Sequence, residues 1–171
     1  IRMRLVGSEM CIRDRPYGTE TMHLLRAEKG YIIVGQDTDG SITPLDLGLD
    51  WMIGKSKKDF LGKRSLIRSD TVRKDRKQLV GILPTNKNEK LEEGQHIILD
   101  KEIKTPTPML GHITSCYQSP TLGHNFALAV IKNGQSLIGT KAFASTPELK
   151  TIEVEIVEPI FYDKENTKLA S

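Results

Sequence analysis

Between Leu79 and Val157 the chain passes through six short apolar runs: "LVGILP", "HIILD", "LGHITSC", "FALAVI", "AFAST" and "TIEVEIV". They recur at roughly a dozen residues, with Gly, Pro and Asn between them, which is the spacing of a small all-β sandwich or barrel. The last run is the clearest strand. Ile152, Val154 and Ile156 alternate with Glu153 and Glu155, and Pro159 closes it. Runs this short cannot bury a face alone, so they must pair with one another into one closed or layered unit.

Upstream the texture differs. Thr19 is placed to cap a helix with Met22, Leu24 and Leu25 on its apolar side, ending at Gly30. "YIIV", Tyr31 to Val34, reads as a strand or buried extended segment, and "GQDTDGS" as a turn cluster. From Thr43-Pro44, the residues Leu45, Leu47, Leu49, Trp51 and Ile53 alternate with period two, as in a strand or an irregular buried run. "DFLGKRSLIRSD" predicts a short helix with Lys63, Arg64 and Arg68 facing water, and the charged "TVRKDRKQ" marks a boundary before the β region.

At 171 residues the chain suits one ordinary domain or two small ones, and 37% apolar with 27% charged residues is a globular composition. No run approaches the ~20 consecutive apolar residues of a bilayer span, so no membrane partner is expected. Cys11 and Cys116 form no C-x-x-C, which points away from zinc or a disulfide framework and towards a reducing cytoplasm. Of the net charge of +3, residues 1–15 carry four arginines against two acids, 4 − 2 = +2, leaving 3 − 2 = +1 for the other 156 residues. A nearly neutral body with 5% aromatics has no nucleic-acid footprint. The opening "IRMRLVGSEMCIRDR" lacks the apolar core of a secretory signal, and its "GSEMCIRDR" resembles translated sequencing-adapter DNA. Residues 1–15 are therefore expected to be non-native, with readable protein from Pro16.

Spacing alone yields no catalytic constellation. Asp37, Asp39, Ser41 and Thr43 alternate like calcium ligands, but a loop starting at Asp37 would need glycine at position 6 and glutamate at position 12, where Ile42 and Gly48 stand. A plain acidic turn is expected, and no metal. Gly30, Gly35 and Gly40 fit neither dinucleotide nor P-loop fingerprints. His112 and Cys116, four apart, would share a face of a regular strand, but no third group orients them, and a strand histidine beside a small core cysteine is expected. Trp51, the single tryptophan, is either a core anchor or a flat wall for an aromatic ligand.

Two longer blocks add a resemblance. "PYGTETMHLLRAEKGYIIVGQDTDGSITPLDLGLDWMIGKSKKDFLGKRSL" resembles the folate-binding domain shared by aminomethyltransferases (glycine-cleavage T-proteins) and folate-linked amine oxidases, and "GHITSCYQSPTLGHNFALAVI" resembles the small barrel that ends them. "LRAEKGYIIVGQDTDG…TP" with the ending "VEPIFYD" is most similar to alpha subunits of the heterotetrameric sarcosine oxidase family. The implied fold class is α+β: residues 16–72 form the C-terminal part of an aminomethyltransferase-like folate domain, 73–165 an antiparallel β-barrel, and 166–171 a tail.

The resemblance implies a chemistry too. An N-methyl amine is oxidised at a flavin, hydrogen peroxide and glycine are released, and tetrahydrofolate takes the one-carbon unit as 5,10-methylenetetrahydrofolate. FAD/FMN and NAD would bind outside this segment, and beta, gamma and delta subunits would be its partners. The family's folate-contacting helix arginine falls at Met22, so that contact is lost or replaced. Its second arginine and glutamate match Arg26 and Glu28, which imply an ion pair or, for Arg26, a folate contact. Trp51 matches a folate-contacting tryptophan, and Tyr162 a pocket tyrosine. The family's catalytic aspartate and pterin-binding glutamate lie upstream of Pro16, so the segment alone is expected to be inactive and to bind folate weakly. Two rivals remain within the superfamily. One is a glycine-cleavage aminomethyltransferase. The other is a non-enzymatic folate-binding protein, whose K-G-C-Y-x-G-Q-E motif "KGYIIVGQD" lacks its cysteine. Outside the superfamily, a β-domain with only an interaction role remains open.

Overall fold

The computed structural model describes residues 17–103 and 106–168. The expectation for residues 1–15 lies outside them. All six apolar runs form strands: β1 (Lys77–Pro84), β2 (His96–Ile98), β3 (Gly111–Ser119), β4 (His124–Lys132), β5 (Lys141–Ser145) and β6 (Thr151–Val157). They close into an antiparallel barrel in the order β1-β4-β3-β2-β5-β6, with β6 returning to β1.

The interior is filled by large residues such as Ile82, Ile97, Ile113, Ile131 and Ile156 against small ones, Ala127, Ala129, Ala142 and Ala144. Large residues set against small ones fit the narrow interior of a small barrel. β4 explains its own continuous apolar run, "FALAVI". Ala127, Ala129 and Ile131 point inward, while Phe126, Leu128 and Val130 belong to a second core on the outer wall. A strand covered on both faces has no side left for polar residues.

What covers that outer wall is the upstream segment. Helix α1 (Thr19–Glu28) buries Ala27 and Glu28, and Leu24, Ile32, Ile42 and Leu47 add to the outer core. Three expectations are corrected here. The helix is capped by Gly18, with no side-chain cap bond, and Thr19 is its first residue. Met22 and Leu25 face away from the barrel, 46% and 47% exposed. Tyr31 to Val34 is not a regular strand: its one bridge joins Val34 to Thr38, and Tyr31 and Val34 are exposed.

The period-two stretch after Pro44 also resolves as irregular rather than as a strand. Asp46, Leu47 and Gly48 donate successive turn bonds to Thr43, Pro44 and Leu45, and Asp50–Met52 form a single 3-10 turn. The helix expected near residue 60 is a four-residue turn, α2 (Lys63–Leu66).

The chain after β6 crosses back as a strap, Glu158–Lys168, and ties the upstream segment down. Glu28 O accepts hydrogen bonds from Phe161 N (2.9 Å) and Tyr162 N (3.0 Å). Phe161 enters the outer core and meets Phe126 with ring centroids 4.6 Å apart. Gly30 makes room for this crossing. It has φ of +71°, and a Cβ there would lie 2.5 Å from Pro159 O. Gly30→Ala therefore suffers both a left-handed backbone and a backbone clash, and should lower unfolding free energy by about 1–3 kcal/mol. Urea denaturation measures this, and a loss under about 0.5 kcal/mol, the range of neutral surface changes, would contradict it.

Candidate functional site

Two polar clamps hold the upstream segment on the barrel. In the first, the Asp37 carboxylate is fully buried beneath the turn. Its Oδ1 accepts from Thr114 Oγ1 (2.6 Å) and Ser115 Oγ (2.5 Å), and its Oδ2 from Ile33 N (2.8 Å) and Arg26 Nη1. Arg26 also donates to Tyr31 O (3.1 Å) and Ser115 Oγ (2.9 Å), and lies 5.7 Å from the Tyr117 ring centroid. Four of its neighbours thus share one guanidinium, whose Nε is buried with no partner. Glu28 takes a separate bond from Ser119 Oγ (2.6 Å), so the expected Arg26–Glu28 pair is replaced by Arg26–Asp37. The two residues are only two apart on the helix and cannot face each other.

A bulge in β3 makes the first clamp possible. Ile113 pairs with Ala129 but Ser115 pairs with Leu128, so Thr114 is an extra residue. The insertion turns Thr114 and Ser115 together towards Asp37. It also reverses strand parity. Cys116 packs with the barrel interior, while His112 sits opposite Val130 of the outer wall. The shared face expected for His112 and Cys116 therefore does not exist. Burial, with Glu93 nearby, pushes the Cys116 thiol up. Burial and the Lys77 and His96 charges push His112 down.

The second clamp joins Asp46 to Arg76 at the start of β1. Arg76 donates through Nε to Oδ1 (3.0 Å) and Nη2 to Oδ2 (2.8 Å), while Thr43 N and Oγ1 each reach Oδ2 at 2.8 Å. Burial pushes the Asp46 carboxyl up, but the bonds from Arg76 and Thr43 outweigh it and hold the group below its ordinary value. A carboxylate with a depressed folded pKa contributes stability that is complete above the unfolded value, about 3.9, and is lost as pH falls through the folded value. Unfolding free energy should accordingly be steady near neutrality and decline below about pH 4, with Asp46→Asn showing a shallower acid decline. Thermal melts across that range would contradict it if the two proteins lose stability in parallel.

Between the clamps and the strap lies a cleft of about 650 Å³. Leu47, Leu49, Leu79, Ile138 and Ile160 supply an apolar wall, and Tyr31 and Trp51 supply rings that are 60% and 72% exposed. Its size is that of a pocket for a drug-sized ligand. The 3-10 turn places Trp51 at this cleft and outside the core of the described residues. The other two expected site residues do not line this cleft. Arg26 is committed to the first clamp, and Tyr162 holds Lys168, whose Nζ donates to its hydroxyl at 2.7 Å. The charged residues lining the cleft are Lys29, Glu158 and Lys164. The chemistry on offer is recognition of a flat, partly apolar molecule.

No local pattern marks Asp46 or the cleft lysines, and Asp37 stands in the sequence only as part of an acidic turn. Asp37 looked like any turn acid because its partners Thr114 and Ser115 lie 77 and 78 residues away.

The described residues thus form a closed antiparallel barrel that carries a helix, a looped segment and a strap over one outer wall. Residues 77–163 match the glycine cleavage T-protein C-terminal barrel domain, and residues 5–57 match the GCVT N-terminal domain. The chain belongs to the glycine cleavage T-protein family. It is 48% identical over 155 residues to the sarcosine oxidase subunit alpha of Corynebacterium sp. (strain P-1), covering 90% of this chain and 16% of that one. It is 32% identical over 151 residues to the aminomethyltransferase of Thermotoga petrophila, covering 88% of this chain and 38% of that one. The solved aminomethyltransferase T of the Bartonella henselae glycine cleavage system shares the fold, with a TM-score of 0.68 at 22% identity over 82% of this chain and 37% of that one. The chain thus spans a minor part of each relative. No helix among the described residues is long and apolar enough to cross a membrane.

Proposed function

We propose that this chain is the folate-binding end of the alpha subunit of a heterotetrameric sarcosine oxidase. The observation that carries the reading is the 48% identity to a sarcosine oxidase alpha subunit over 90% of the chain. The exposed Trp51 ring in the cleft gives that likeness a physical role. In the assembly, a flavin held outside this chain would supply the two-electron oxidation of the N-methyl amine, with oxygen as the final acceptor.

The part of this chain is to hold tetrahydrofolate so that it captures the one-carbon unit as 5,10-methylenetetrahydrofolate, with glycine leaving. Trp51 stacks on the pterin or aminobenzoyl ring, and the leucine wall excludes water around it. Arg26 acts on folate only indirectly in this reading, by fixing Tyr31 through its carbonyl, and Tyr162 acts by holding the strap. NAD, the flavin and the beta, gamma and delta subunits bind elsewhere on the whole protein.

The test uses the longest natural polypeptide containing residues 17–168, with the subunits that copurify with it. Sarcosine is supplied with and without tetrahydrofolate. Hydrogen peroxide in both cases, with formaldehyde replaced by 5,10-methylenetetrahydrofolate when folate is present, is the expected result. Activity only on an aminomethyl group carried by a lipoyl protein would assign the chain to the aminomethyltransferases instead, a reading its 32% identity to that enzyme keeps in view.

A further inference from the structure

The barrel rim beside the second clamp carries charges that neither the fold nor the cleft uses. Arg73, Arg76, Lys77 and Lys132 line a cavity of about 200 Å³ there with Asp70 and Asp75, a balance of 4 − 2 = +2. That is too small for a drug-sized ligand and leaves room for a single charged group. The lysines are the unusual feature. Lys77 of β1 pairs with Lys132 of β4, so two ammonium groups stand directly across an antiparallel ladder, an arrangement that costs a sheet stability. Both belong to the outer face, since Leu79 and Val130, two residues along each strand, lie in the outer core. Among the described residues the ion pairs of this rim run from Arg73 and Arg76 to Asp46, Asp70 and Asp75, and none from the lysines. The Lys77 charge is not cancelled locally: after burial, it is the next cause that pushes His112 down. The backbone fixes both strands here, because Lys132 N donates to Leu110 O and Asn133 N to Arg76 O, each at 2.9 Å.

The two arginines differ in freedom. Arg76 is 12% exposed and spent on Asp46, Asp70 and Ser41 O, so it contributes charge but no spare donor. Arg73 is 56% exposed and binds Asp75, itself 64% exposed, through Nε (2.9 Å) and Nη2 (2.6 Å). A pair this open to solvent gains little from its own contact and exchanges at small cost. The guanidinium fork matches phosphate oxygens, and each lysine brings a mobile point charge with three donors. We propose that this rim binds a phosphate group, free or carried on a nucleotide, with Lys77 and Lys132 donating to its oxygens and Arg73 exchanging Asp75 for it. A dianion between the lysines turns their repulsion into two attractions, which explains why a sheet keeps them opposed. The site is separate from the cleft. The two share no lining residue, and the Asp46 that clamps Arg76 also accepts, through its carbonyl, from the N–H of the cleft residue Leu79 (2.9 Å). The phosphate site therefore stands independently of the folate reading.

Calorimetric titration and thermal melts of the full-length chain in its natural assembly, with inorganic phosphate or adenosine monophosphate at fixed ionic strength, test this. A ligand of the folded state raises the melting temperature, but phosphate also stabilises folds by exclusion from their surface, so the comparison is between variants. Phosphate should raise the melting temperature of the wild type by more than that of the double variant Lys77→Gln, Lys132→Gln. Its dissociation constant should weaken about five- to twentyfold in that variant, the worth of two exposed ion pairs. Without phosphate the double variant should melt at or above the wild type, because the opposed charges are gone. Lys150→Ala, an exposed lysine outside the rim, should change neither readout. Equal affinity for the two probes assigns the site to free phosphate, and tighter monophosphate binding that the double variant loses assigns it to a nucleotide. Equal phosphate effects in wild type and double variant would overturn the site, as would a double variant less stable without phosphate, which would make the lysines structural. Binding of polyaspartate but of neither probe would also overturn it, and would make the rim a docking surface for an acidic protein segment.

Discussion

Replacing Asp37 by alanine should cost about 3–5 kcal/mol of unfolding free energy, the penalty for breaking a buried ion pair from one side. The Arg26 guanidinium, with its side chain 10% exposed, would lose its only carboxylate among the described residues, and the Thr114 and Ser115 hydroxyls would lose their shared acceptor. The loss should be local before it is global. The barrel interior has its own core, from Val80 to Ile156, to which none of the described residues before β1 contributes. Hydrogen exchange and limited proteolysis should therefore find α1 and the Tyr31–Trp51 segment released while the strands stay protected. The double variant Arg26→Met, Asp37→Leu should lose less than the single Asp37→Ala, since no charge is then stranded. A single-variant loss below about 1 kcal/mol, within the range of an ordinary substitution, would show that the clamp does not hold the segment.

Trp51→Ala should have the largest effect on ligand binding and almost none on the fold. An indole 72% exposed contributes little to the core, so the unfolding free energy should change by no more than about 0.5 kcal/mol. Its stacking face is a different matter. Aromatic contact is worth roughly 0.5–1.5 kcal/mol beyond the burial of ring area, and the two together predict a tenfold to hundredfold loss of tetrahydrofolate affinity. Trp51→Phe keeps a flat ring and should recover most of it. Titration of the full-length protein separates the cases: unchanged affinity in Trp51→Ala, with unchanged stability, removes Trp51 from the folate site.

Both predictions depend on positions that local pattern ranked low. Trp51 was open between core and ligand wall, and its place on a 3-10 turn at the edge of a cleft takes it out of the core of the described residues. Asp37 sat in a run tested for calcium and set aside as an acidic turn. Its carboxylate is in fact spent on Arg26, Ile33, Thr114 and Ser115, and that of Asp39 on the amide and hydroxyl of Ser41. The opposite error fell on Leu45 to Ile53, where an alternating pattern suggested a strand. Successive turns from Thr43 and Pro44 took up the backbone groups that a ladder would have needed.

The amino-acid order by itself determined the six strands, the inward stripe of β6 and the family signature. Each of these is a local period or a contiguous word, legible over ten to twenty residues. Tertiary structure alone decided the faces and the partners. One inserted residue, Thr114, reversed the parity of β3, sent Cys116 inside and His112 outside, and aimed two hydroxyls at an acid 77 and 78 positions earlier in the chain. The strap closed the cleft by crossing Gly30 from 129 residues away (159 − 30). A periodic pattern states that a face will be buried. Which distant segment buries it depends on how the chain closes, and that closure is set by packing and buried polar pairing across the whole molecule.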